Sequence, residues 1–236
     1  MPLDYPQRRQ NLVYGDKSGF IGYLMVRPPG PWRMYWKTLE GLVLWYDFNR
    51  CQAIDLSGHG NNGTIYGAQC VQGRSGRALS FDGVDDYVEV PDNPSLDSPY
   101  LSVSAWIKTN VTPDEADDIL RRVSPFALRI TTSCQAQFHC LIDGTWYHAD
   151  GCTQISLGEW HHIIGTFDGS TIRVYVDGVE DGNYSISGTI DSATHPLLIG
   201  KGAGGYGRYF NGTIDEVRIY NRALSEEEIK WLYEHT

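Results

Sequence analysis

The sequence predicts an all-β protein, an antiparallel sandwich or jelly roll with one short C-terminal helix. Three observations carry that expectation. In LSVSAWI (101–107), Leu101, Val103, Ala105 and Ile107 share one side while Ser102, Ser104 and Trp106 share the other. That period of two marks a half-buried strand. Asp-Gly recurs at 82–83, 143–144, 168–169 and 177–178, the dipeptide that tight hairpins favour because it tolerates positive φ. A helical pattern stands out at the end: Ser225 and Glu228 fit a capping box, and Leu224 and Ile229 a hydrophobic staple. Ile229, Leu232 and Tyr233 follow at i, i+3 and i+4, an apolar stripe to lay on the sandwich.

The elements follow in order. Residues 1–40 show little periodicity and include RPPGPW (27–32), which reads as an arm with at most one or two strands. The arm holds six Lys/Arg against three acids, on a chain whose net charge is −10. A basic arm on an acidic body is expected to dock onto an acidic partner, such as a neighbouring subunit. Trp32, Tyr35 and Trp36 would be its anchors, since aromatic residues dominate interface hot spots. The alternative is a strap over its own domain. From Gly41 to Thr236 the texture is that of one β domain: GLVLWYDF (41–48), TIYGA (64–68), ALSF (78–81) and YVEV (87–90) come first. FALRITT, QFHCLI, TWYHA, HHIIGTF, TIRVYVDG, PLLIG and TIDEVRIY continue the series.

Composition narrows the function. The acidic charge argues against general nucleic-acid binding, which wants a basic face. No apolar run reaches the roughly 18 residues a membrane span needs, and MPLDYPQRRQ lacks the apolar core of a secretory signal. Of five cysteines, Cys51 and Cys70 flank a Gly/Asn-rich loop, while Cys134 and Cys152 lie on either side of a hairpin turning at Asp143-Gly144. The expectation is Cys51–Cys70 and Cys134–Cys152, with Cys140 a buried thiol; the alternative is five thiols. N-x-S/T sequons at Asn62, Asn110, Asn183 and Asn211 are patterns that a Gly/Thr-rich β protein produces by chance.

Sugar binding would use exposed aromatic faces with polar neighbours on rim loops. The candidates are Trp146, Tyr147 and His148, and Tyr206, Arg208 and Tyr209 beside a Gly-rich loop. That loop, GKGAGG (200–205), spells G-x-G-x-x-G but runs on into a strand, so no helix N-terminus follows to hold phosphates. Glycoside hydrolysis needs two carboxylates at a workable separation, and the acids of PDEADD (113–118) fall in an expected loop.

Several stretches together resemble the laminin-G-like, concanavalin A-like jelly-roll family. They are WYDF and DLSGHGNNGTIYGA within 45–68, GRALSFDGVDDYVEV (76–90), LSVSAWIKT, GEWHHIIGTFDG (158–169), IRVYVDGV and NGTIDEVRIYNRALSEEEIKWLY, in the family's order. The resemblance covers residues 41–236 and leaves the arm outside. It implies that the His161–His162 pair marks the fold. Alternation agrees, because His162 and Ile164 face one way while His161 and Ile163 face the other, and neighbours on a strand cannot ligate one metal. The E-x-D-x-E and E-x-D-x-x-E strands of related glucanases are not found in this sequence. The family also implies one structural Ca²⁺, for which Asp47, Asp55, Asn61 and Asp215 are the matching positions, and Ca²⁺ wants six to eight oxygens. The alternative is that Asp55 caps its own turn. The expected function is therefore binding without catalysis, by an exterior component of an assembly such as a virion decoration or fibre protein. A secreted lectin-like module is the alternative and a glycoside hydrolase the third. The expected location is extracellular or on a virion surface.

Overall fold

The computed structural model describes residues 31–202 and 208–236. The helix α1 (Pro31–Lys37) leads into β1 (Leu42–Tyr46), β2 (Thr64–Tyr66), β3 (Gln69–Gln72), β4 (Arg77–Asp82) and β5 (Tyr87–Val90). After a 3₁₀ turn at Pro94–Leu96 come β6 (Leu101–Thr109), β7 (Asp117–Arg122), β8 (Phe126–Ile130), β9 (Gln135–Ile142) and β10 (Thr145–Gln154). The chain ends with β11 (His161–Phe167), β12 (Thr171–Val176), β13 (Val179–Ser185), β14 (Leu197–Ile199), β15 (Asn211–Tyr220) and α2 (Glu226–His235).

All pairings are antiparallel and form two sheets. One has eight strands in the order β13-β12-β11-β6-β15-β4-β3, with β1 also on β15. The other has seven, in the order β10-β9-β8-β7-β14-β5-β2. Their inner faces share one core, which includes Val103, Ile107, Phe126, Phe138, Ile163 and Ile214. Cys140 is a buried thiol there, its pKa pushed up by burial.

A second apolar cluster seals the outer face of the eight-stranded sheet. Leu42, Ile164, Tyr175 and Tyr220 pack against Leu224, Ile229 and Leu232 at and within α2. The capping box forms as expected, with Ser225 Oγ accepting from Glu228 N while the Glu228 carboxylate accepts from Ser225 N; such a cap contributes about 1 kcal/mol. The helix changes the expected burial of β6. Ser102 and Ser104 are fully buried and Trp106 nearly so, because this strand is covered on both sides.

Two expectations about local structure are corrected. Residues 31–37 form a helix where the proline-rich pattern suggested at most strands. It rests on α2, with Tyr35 and Trp231 rings 6.0 Å apart, and Arg222 Nη2 and Nε donate to the Lys37 and Glu40 carbonyls. Residues 1–30 lie outside the described residues. The acids of PDEADD are divided: Asp117 and Asp118 begin β7.

The cysteine pairing is half corrected. Cys51–Cys70 is a disulfide, but Cys134 and Cys152 are free thiols. The hairpin turns at Asp143-Gly144 and keeps register to Asp150↔Gln137, then shifts before Gln154↔Gln135. That irregularity turns Cys152 outward, where its thiol lies 3.3 Å from Asp181 Oδ1 on β13, while Cys134 is buried. The same bulge ties the two sheets together, since the Asp181 carboxylate accepts from Cys152 N, Thr153 N and Thr153 Oγ1.

Gly165 marks a tight approach between the sheets. A Cβ there would stand 2.2 Å from the Phe138 ring. Gly165→Ala is expected to cost about 1–3 kcal/mol by overpacking, lowering Tm by several degrees in a thermal melt. Phe138→Leu in the same chain should recover part of the loss, and full stability of the single variant would refute the tight contact.

Candidate functional site

Helix α2 covers one outer face, so among the described residues the outer face of the seven-stranded sheet is the regular surface left to solvent. Alternation selects what it displays. Along β10, Tyr147 packs against the core and Ala149 is buried, whereas Trp146, His148 and Asp150 point out. The expected Trp146–Tyr147–His148 cluster is therefore split: Tyr147 stacks on Tyr184 at 5.8 Å, and only Trp146 and His148 belong to the open face.

Across the sheet His148 pairs with His139 of β9, His139 with Ala127 of β8, and Ala127 with Arg121 of β7. The rings of His139 and His148 stack at 4.7 Å with an interplanar angle of 19°. His139 presents an edge to Trp146 at 6.3 Å, and the Arg121 guanidinium lies 5.5 Å from the Trp146 ring centre. Ala127 is small, which leaves room for the indole to lie towards Arg121. Trp146 remains 38% exposed, a flat apolar platform bordered by polar groups.

The polar border is internally paired. Arg121 Nη1 and Arg129 Nε both donate to Asp118, whose side chain is fully buried, at 3.3 and 2.9 Å. Gln137 Nε2 donates to Asp150, and His148 Nε2 lies 3.4 Å from the same carboxylate. Burial, then the charges of Arg129, His148 and Arg121, depress His139 to about 3. It is neutral at working pH and serves as a ring, not a base. Neither His139 nor Arg121 was singled out from sequence. The alternation in QFHCLI contained the signal, but only the pairing to β10 places His139 under His148.

A second aromatic group sits further along the same face. Tyr66 and Tyr87 stack at 4.5 Å, and Lys201 Nζ lies 3.8 Å from the Tyr87 ring centre and 5.4 Å from that of Tyr209. Tyr209 and Arg208 also line a cleft of about 480 Å³ with Val111, Asp114, Glu115 and Asp117. Tyr206 lies outside the described residues. Burial, with Asp118 and Asp114 adding repulsion, raises Asp117 to about 6, while Arg208 opposes the shift. Arg208 Nε is bonded to Glu115 at 2.9 Å, so the cleft's second acid is engaged in an ion pair.

Of the four residues matched to calcium, Asp47, Asp215 and the bonded pair Asp55 and Asn61 occupy separate local networks. Asp55 accepts from Trp45 N, Ser57 N, Ser57 Oγ and Asn61 N, capping its own loop. Asp47 accepts from Asn49. Asp215 accepts from Arg74 N, Ser75 N and Glu216 N. Asn61 Nδ2 donates to Val43 O and Ser95 Oγ, and its buried Oδ1 alone has no partner among the described residues. Among the described residues only Asp82, Asp85 and Asp86 bring three ligand atoms within 4.8 Å of one another; these are not the matched positions. The carboxylates of Asp47, Asp55 and Asp215 form no such group among the described residues.

The histidine pair points apart as alternation requires. His161 Nδ1 is 2.8 Å from Asp177 Oδ2 and its Nε2 accepts from Ser156 N. His162 faces α2, fully buried, with Nε2 2.8 Å from Ser104 Oγ and its ring stacked 5.0 Å from Trp106. Burial, with Arg218 and Arg74 against Asp177, holds His162 at about 3. Both are parts of the fold. A family model for the concanavalin A-like lectin/glucanases superfamily matches residues 82–230.

The chain belongs to this superfamily.

Solved structures share the fold of this concanavalin A-like protein. It is similar to the binding domain of Paraclostridial Mosquitocidal Protein 1, with 20% identity, TM-score 0.71 and coverage of 83% of this chain and 52% of that one. It is similar to domain 4 of AbnA, a GH43 extracellular arabinanase from Geobacillus stearothermophilus solved with arabinotriose, with 23% identity, TM-score 0.68 and coverage of 81% and 98%. A third is the binding domain of botulinum neurotoxin DC in complex with SialylT, with 14% identity, TM-score 0.67 and coverage of 84% and 52%. The chain spans about half the length of the two toxin domains. At these identities the likeness is one of fold. No curated protein matches the sequence significantly.

Asp215 supplies a pH test. Burial raises it to about 7; the Ser75 N–H opposes this, the Glu216 charge adds to it, and the Glu216 and Arg74 N–H groups oppose it again. Between about pH 4 and pH 7 the folded state keeps a proton that the unfolded state has released, so stability should fall as pH rises through that window. Asp117 contributes in the same sense up to about pH 6. Urea melts of wild type and Asp215→Asn across the window should show a flatter pH profile for the variant. Equal slopes would remove Asp215 as a titrating group.

Proposed function

We propose that the protein is a non-catalytic carbohydrate-binding module. Its binding surface is the open face of the seven-stranded sheet, and the observation that carries this reading is Trp146 lying exposed against Arg121 and the stacked His139–His148 pair. A sugar ring needs an apolar plane with hydrogen-bonding groups at its edge, and Trp146 with Arg121 and His139 beside it offers both. Support from likeness is of the same kind, since an arabinanase domain of this fold is solved with arabinotriose and a neurotoxin binding domain with SialylT. Binding is favoured over hydrolysis because two of the acids beside Asp117 are engaged, Asp118 by two arginines and Glu115 by Arg208.

A second reading concerns the setting. The arm would attach the domain to other subunits of an assembly, as in a virion decoration or fibre protein. The observation favouring it is α1, which is fastened to α2 by Tyr35 and Arg222 yet leaves Trp36 43% exposed. The Cys51–Cys70 disulfide suits an oxidising exterior. Trp36→Ala should leave the Tm unchanged while weakening assembly in sedimentation; an unchanged assembly would sink the anchor.

The primary test is a glycan array on the whole chain, with and without chelator. Trp146→Ala should reduce binding to every positive glycan by at least about tenfold, given the burial and stacking an aromatic platform contributes. Retained affinity would place the site elsewhere.

A further inference from the structure

At one end of the sandwich three connections meet around the cleft of about 480 Å³, a size within the range that small ligands occupy. The β4–β5 turn supplies Gly83, the β6–β7 connection Val111, Pro113 and two acids, and the segment before β15 Arg208 and Tyr209. Hydrogen bonds brace these walls against one another. Asn211 Nδ2 donates to the Asp82 carbonyl at 3.0 Å, Asn110 N to the Asn211 carbonyl at 3.1 Å, and Gly202 N to the Arg208 carbonyl at 2.8 Å. A ligand that enters a braced cavity has little left to order, which lowers the entropic cost of binding.

The polar lining is unbalanced. Asp114, Glu115 and Asp117 face a single base, and that base, Arg208, is bonded to Glu115 at 2.9 Å. Among the described residues the Asp114 and Asp117 carboxylates have no hydrogen bond or ion pair, although Asp117 is half-buried. Acids around a cavity with low-dielectric walls focus a negative potential into it. Two unpaired carboxylates there select for a cation. Among the described residues, the lining acids do not gather three ligand atoms within 4.8 Å of one another, as Asp82, Asp85 and Asp86 do. Their spacing therefore suits a head with several N–H donors over a bare metal ion. Val111, Pro113 and the Tyr209 ring add an apolar wall to the same cavity. Tyr209 already has an ammonium for company, since Lys201 Nζ lies 5.4 Å from its ring centre.

We propose that this cleft binds a small organic cation, an ammonium or guanidinium head held by Asp114 and Asp117 with its alkyl stem against Val111, Pro113 and Tyr209. The site is separate from the carbohydrate face at Trp146 and takes a different class of ligand. Charge-assisted N–H···O bonds to the two carboxylates fix the head, and the apolar stem separates an alkylamine from an inorganic cation. Glu115 keeps Arg208 engaged, which leaves Asp117 to the ligand. A free polyamine and a basic side chain of a peptide share this chemistry.

The test is isothermal titration of the full chain with cadaverine and agmatine, with pentanediol as the uncharged isostere. Both cations should bind and pentanediol should not, and affinity should fall at least about fivefold between about 20 mM and about 300 mM NaCl. Asp114→Asn and Asp117→Asn should each weaken binding at least about tenfold, whereas Trp146→Ala should leave it unchanged; a thermal melt checks each fold. Asp117 is held at about 6 by burial, then by Asp118 and Asp114, with Arg208 opposing and Glu115 adding. A bound cation favours the ionised carboxylate, so affinity should rise between about pH 5 and about pH 7. Asp117→Asn should flatten that rise. A capped lysine peptide that binds more tightly than the free amines would identify a partner's side chain as the source, and the reverse order a polyamine; both outcomes retain the head. Pentanediol binding as tightly as cadaverine, or wild-type affinity in both Asn variants, would overturn the cation site. So would the absence of binding by every cation, which leaves the reading at Trp146 standing.

Discussion

The packing of α2 on the eight-stranded sheet is the constraint on which the rest of the structure depends. Ile229 and Leu232 bury Leu42, Ile164, Tyr175 and Tyr220, and Trp106 and His162 stack beneath Tyr233. One sheet is thus covered on both faces, and its strands can carry residues such as Ser104 and His162 only because they bond to each other at 2.8 Å. Arg222 extends the seal, holding Glu228 through Nη1 and Nη2 while Nε and Nη2 grip the end of α1. Burying the helix on one side leaves the opposite sheet to face solvent.

The open sheet displays exposed aromatic rings among paired charges. Its charged groups are paired laterally, so they cost little to display and hold the aromatic rings in place. Arg121 links the two features, bonding Asp118 with its guanidinium while lying against Trp146. Fold alone does not confer function, and the proposed function rests on the side chains of this face.

How much was legible beforehand differs by element. The hairpin at Asp143-Gly144, the VDGV turn with Val176 opposite Val179, the terminal capping box and the opposed histidines follow from local rules, and each appears in the fold. The Cys134–Cys152 pairing failed on a single irregularity after Asp150, because a bulge of one or two residues is invisible to a register counted from the turn. The α1 helix went unseen because it is short and draws its stability from α2. Ser102, Ser104 and Trp106 looked like a solvent face, since nothing in β6 itself announces a helix contributed from over a hundred residues away.

The sequence by itself determined the period-two pattern, the turns, the helix cap and therefore the two-sheet sandwich, because these depend on neighbours within a few residues. Which face is open was decided only in three dimensions. Trp146, His139, Arg121 and Tyr87 come from four strands, and hydrogen bonds between strands set their alignment, a long-range constraint that local periodicity does not encode. The candidate calcium ligands show the reverse: four suitable oxygen-bearing residues were present in the sequence, yet the loops satisfy Asp47, Asp55 and Asp215 through separate N–H and O–H donors. Residue type is written locally, but convergence on one point belongs to the tertiary fold.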